Sequence, residues 1–60
     1  MSLDIVAELV RVYLAHSIDG DNVITGTIEE VNSDWVVIND DGRVLYINKD
    51  YIIAIEPIND

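Results

Sequence analysis

Cysteine is absent, histidine occurs once, and only 3 residues are Lys or Arg against 12 Asp and Glu. Without cysteine there is no disulfide framework, and a lone histidine leaves no zinc-ligand set, so the usual staples of a small domain are missing. The scarcity of cations, with a formal charge of -9, disfavours generic binding of nucleic acid or anionic membrane through a basic surface. No apolar run approaches a membrane span, and Met1-Ser2-Leu3-Asp4 lacks the basic start of a secretory signal. An intracellular, cytoplasmic protein with no membrane partner is expected. There is no glycine-rich phosphate cradle and no serine in a nucleophile elbow, so an enzyme is not expected and no cofactor is implied.

What is present is apolar. Half of the 60 residues are hydrophobic and they are spread along the chain, which argues for folding in spite of the charge. Neither linker, repeat nor low-complexity segment interrupts them, so residues 1–60 read as one domain. A chain this short has little surplus of buried surface, and self-association is the compensation left to it.

Ser2 is a suitable N-cap, Asp4 suits the positive end of a helix, and Ile5, Val6, Leu9 and Val10 follow at helical spacing, predicting a short N-terminal α-helix. From Val10 the pattern also has period two, with Val10, Val12, Leu14 and Ile18 on one side and Arg11, Tyr13 and Ser17 on the other. A helix running on to His16, mediating dimerisation of a four-stranded sheet, is the competing reading. The strand is preferred because Asp19-Gly20-Asp21-Asn22 is strong turn chemistry and the β-rich segment Val23 to Val31 follows at once. Further turn signals at Asn32-Ser33-Asp34, Asn39-Asp40-Asp41-Gly42 and Asn48-Lys49-Asp50 separate strands at Trp35 to Ile38, Arg43 to Ile47 and Tyr51 to Ile55. Gly26 falls between the inward-facing Ile24 and Ile28, where a sharply bent barrel strand needs a glycine, and Pro57 fits a strand end.

A short helix followed by five bent strands resembles the Sm/LSm family, including its bacterial Hfq branch. Ile24-Thr25-Gly26-Thr27-Ile28-Glu29-Glu30-Val31-Asn32 is similar to the first Sm motif, with Asn32 at the place of its Asp. Leu45-Tyr46-Ile47-Asn48-Lys49-Asp50-Tyr51-Ile52-Ile53-Ala54-Ile55-Glu56-Pro57 is similar to the second, with Asn48-Lys49 in place of its Arg-Gly. The minimal length resembles phage-encoded and metagenomic members. The resemblance implies a mainly β fold, an Sm-like (SH3-like) small five-stranded barrel with a short N-terminal α-helix.

It also implies a homo-oligomeric ring of roughly five to seven copies, closed by pairing the fourth strand of one subunit with the fifth of the next. Val44, Leu45, Tyr46 and Ile47 and then Ile52, Ile53 and Ile55 would form that interface; as wet edges such apolar runs would invite aggregation. The alternative is that both strands are the two-sided core of a monomeric barrel. In RNA-binding members a base near the pore lies between a residue of the loop after the second strand and a basic residue of the last loop. Carried over, the stacking place falls at Asp34, the base-reading place at Val36, and the basic place at Asn48 or Lys49. Lys49 alone keeps the chemistry. Aspartate does not stack and valine offers no hydrogen bond. Trp35 could stack in a different loop register, although filling the barrel core is its more ordinary role. The candidate nucleic-acid contacts are thus Lys49, Asn48, Trp35 and Asn32.

His16 would need Asp19 or Asp21 as co-ligands for a metal, and an ordinary surface role is preferred. Asp19-Gly20-Asp21-Asn22 resembles part of a calcium loop but lacks the terminal bidentate glutamate, so a turn is expected and no metal site. Asp40 and Asp41 read as solvated loop carboxylates. The functional expectation is an Sm-like ring with weak RNA or single-stranded DNA binding and a role in RNA or DNA processing. The alternative is an acidic small-barrel module for protein interaction or structure that binds no nucleic acid, which the charge favours.

Overall fold

Two turns set the hairpins. Asp19 and Gly20 have φ of 51° and 86°, and Asp41 and Gly42 have φ of 52° and 92°, the left-handed pairs of two-residue hairpin turns. Each joins strands directly, Ile18 facing Asp21 and Asp40 facing Arg43. The computed structural model describes residues 6–58. Its strands are β1 (Leu9–Ile18), β2 (Asp21–Val31), β3 (Trp35–Asp40), β4 (Arg43–Asn48) and β5 (Ile52–Pro57), with a 3-10 turn at Lys49–Tyr51 before the last. All pairings are antiparallel, in one sheet of order β4-β3-β2-β1-β5.

The period-two reading of β1 holds. Val10, Val12 and Leu14 are buried and join Ile24, Ile28, Val36, Ile38 and Ile47 in one core, with Ile18, Leu45, Ile52 and Ile55 packed against it. Because four strands contribute to one cluster, the sheet curls around it. β2 serves two ladders, pairing with β1 up to Thr27 and with β3 from Thr27 onward, and an extra residue at Glu29 shifts its register against β3. Gly26 is buried beside that handover, with the backbone of Asn39 packed where a side chain would stand.

Three expectations need correction. No α-helix occurs among the described residues: Val6 and Ala7 form a turn, and Leu9 and Val10 are already in β1, paired with Thr27 and Gly26. Sheet pairing overrides a helical spacing that those two residues also satisfy; the rest of the helix expectation, Ser2 to Ile5, lies outside the described residues. The reading that carries a helix to His16 fails with it. The sheet is also not closed. β4 and β5 stand at its two ends, because the 3-10 turn carries the chain across the end of the core to the free edge of β1 instead of folding it back on β4. Lastly, Trp35 does not fill the core. It is 40% exposed on the outer face, while its neighbour Val36 points inward.

Candidate functional site

The β2–β3 turn and the 3-10 turn meet at one end of the sheet. The Lys49 backbone N–H donates to the Asp34 carbonyl at 3.0 Å, and Trp35 is the register partner of Asn48. All four candidate contact residues therefore gather there, with different capacities. Asn32 is occupied: its Oδ1 accepts from the N–H groups of Asp34 and Trp35 at 2.8 and 2.9 Å, and its Nδ2 donates to Glu30 at 3.2 Å. This is an Asx turn that shapes the loop. Asn48 Oδ1 likewise caps the 3-10 turn, accepting from the Asp50 N–H at 2.9 Å. Lys49 is exposed, and among the described residues it is the cation without an ion-pair partner. Arg11 is bound to Glu56 at 2.7 Å, and Arg43 reaches Asp19 at 3.3 Å and Asp40 at 3.2 Å. Asp50 follows Lys49 in the chain and Asp34 is brought beside it by the backbone hydrogen bond, and these two acidic residues weaken its field.

Trp35 meets Tyr46 edge to face, ring centroids 5.9 Å apart. With Val44 and Val37 they make an apolar outer face on β3 and β4. The proposed interface residues divide by face: Leu45, Ile47, Ile52 and Ile55 turn toward the core, whereas Val44, Tyr46 and Ile53 are exposed. The edges are therefore half-buried strands whose outward backbone groups are open to pairing.

Beside the β4 edge lies an apolar cleft of about 290 Å³, framed by Leu14, His16 and Ile18 of β1, Tyr46 and Asn48 of β4, and Tyr51 of the 3-10 turn. His16 and Tyr51, which both line it, meet edge to face with ring centroids 5.4 Å apart. Sequence reasoning assigned His16 to the surface and did not find this cleft. Its walls come from residues some thirty positions apart in the chain, brought together by the sheet alone. Also missed is a cluster on the outer face of β1 and β5, where Glu56 Oε1 accepts from both Arg11 Nη1 and the Tyr13 hydroxyl at 2.7 Å. These two donors, Tyr13 foremost, hold the Glu56 carboxyl below the usual glutamate range, and the same contact raises Arg11. The spacing of Arg11 and Tyr13 shows a shared strand face, but the acceptor is visible only once β5 is known to pair with β1.

Among the described residues no group of three or more His, Asp or Glu side chains is placed to hold a metal ion. No helix among them is long and apolar enough to cross a membrane. The family described as Domain of unknown function (DUF6897) matches residues 4–57. The chain belongs to that family. The matched span contains all five strands, so both edges, the loop end and the cleft are parts of the DUF6897 domain. No curated protein and no solved structure gives a significant match.

Proposed function

We propose that this DUF6897 chain is a self-assembling, Sm-like small-barrel module whose copies join head to tail, β4 of one against β5 of the next, into a homo-oligomeric ring. The observation that carries it is the sheet order: β4 and β5 are the two free edges, and they are the strands that pair between subunits in Sm-like rings. Exposed Val44, Tyr46 and Ile53 lie on those edges, where unpaired strands of a soluble protein usually carry charge. Heterologous contacts of this kind close into a ring when the rotation per subunit permits. Absolute mass by light scattering at micromolar concentration tests it. A multiple of 6.7 kDa corresponding to roughly five to seven copies is expected, and a stable monomer overturns it.

A second reading, weak contact with RNA or single-stranded DNA, is favoured by the gathering of Trp35, Asn48 and Lys49 at one end. A ring repeats Lys49 once per subunit, so multivalent contact offsets part of the acidic background. Without such binding, the ring is an acidic protein-interaction or structural module.

A further inference from the structure

Ile53 is the most exposed large hydrophobic side chain among the described residues, at 70%. Its position has a cause. The β1–β5 ladder passes from Tyr13 facing Ala54 to Leu14 facing Ile52, so Ile53 is the extra residue of a bulge and is left without a partner on β1. An apolar knob thus stands on the β5 edge, and the 290 Å³ apolar cleft lies beside the β4 edge. We infer that Ile53 of one copy seats in the cleft of the next, between Tyr46 and Ile47 on one wall and His16 and Tyr51 on the other.

The inference rests on the edge-to-edge reading and gives it a register. Pairing β4 with β5 of a second copy keeps core-facing side chains on one side only when Leu45 or Ile47 lies opposite Ile55, because a one-residue slip turns every side chain to the other face. With Leu45 opposite Ile55, Ile47 comes opposite Ile53, and Ile47 is a buried side chain that lines the cleft. Area points the same way. A six-residue strand is roughly 20 Å long, and the molecule is 19 Å across its thinnest direction. A bare edge therefore covers roughly 400 Å² per copy, about half of what a standard interface takes from each partner. Side chains flanking the ladder must pack as well, and Ile53 in the cleft does so while also covering Tyr46.

Because the contact is head to tail, knob and cleft can be broken in different molecules. Ile53→Glu removes the knob and Ser17→Trp, at an exposed residue lining the cleft, fills the hole. Circular dichroism and melting of each variant establish that it folds. Each alone is expected to lose assembly, with association weakened roughly tenfold to a hundredfold per junction. Mixed in equal amounts they should form a one-to-one dimer and nothing larger, since only one junction, Ile53 of the Ser17→Trp chain in the open cleft of the Ile53→Glu chain, remains intact. If the parent assembles and folded Ile53→Glu assembles equally well, something else occupies the cleft and the inference falls while edge pairing stands. If both variants dissociate but their mixture stays monomeric, the pairing of knob with cleft is also wrong. A monomeric parent overturns both readings together.

Discussion

Gly26 and Asn39 approach so closely that a Cβ on the glycine would stand 2.5 Å from the Asn39 carbonyl oxygen, and 2.7 Å from Cγ2 of Ile38. A backbone carbonyl cannot swing aside as a side-chain tip can, so even alanine must push β2 and β3 apart. Gly26→Ala should cost about 2 kcal/mol and Gly26→Val more, read as lowered Tm and urea midpoint. A Gly26→Val protein that melts with the parent would remove the close approach as the reason for glycine here.

Much of this sheet is written locally. Asp19-Gly20 and Asp41-Gly42 supply the positive φ that their hairpins need, and alternation in Val10, Val12 and Leu14 marks the buried face. What is not written locally is which strand meets which. Leu9 and Val10 fit a helical and an alternating pattern equally well, and only their partners Thr27, Gly26 and Pro57 decide between them. Trp35 follows a three-residue turn, so its face depends on the register that Asn32 imposes on the loop. The cleft and the Ile53 bulge depend on β5 crossing to β1, a long-range pairing that no short motif encodes.

Glu56 sets an acid limit on the β1–β5 contact. Its carboxyl is held below the ordinary glutamate range by Tyr13 and Arg11, so the ionised form favours the folded state. That contribution is complete above the ordinary glutamate pKa and is lost as pH falls through the lower folded value. In urea unfolding across pH, the deficit of Glu56→Gln relative to the parent should be greatest near neutrality and shrink with acid. Tyr13→Phe should show a smaller deficit with the same trend. A deficit that does not change with pH would mean that ionisation of Glu56 contributes nothing.

Asn32 is expected to matter for stability through its acceptor. Asn32→Ala leaves the Asp34 and Trp35 N–H groups to solvent and should cost about 1 kcal/mol. Asn32→Asp keeps the acceptor but sets a second carboxylate beside Glu30, so it should lose less than alanine does, and added salt should narrow its deficit. Equal urea midpoints for the parent and Asn32→Ala would show that the turn does not need this side chain.

Lys49 and Trp35 predict different signatures in one titration. Arg11 and Arg43 are engaged by carboxylates, so Lys49 is the cation at this end that can meet a phosphate without first breaking an ion pair. Its neighbours Asp34 and Asp50 oppose it, which makes binding weak and confined to low salt. Trp35, 40% exposed, offers a base a flat apolar surface, and stacking does not release counterions. Short single-stranded oligonucleotides titrated at low salt, followed by anisotropy as salt is raised, should therefore bind the parent saturably. Lys49→Ala should abolish that binding, whereas Trp35→Ala should weaken it roughly tenfold and leave the salt dependence unchanged. If the parent itself binds nothing at low salt, the loop end is no nucleic-acid site. The chain then acts through its edges alone, as an acidic module whose partner is protein.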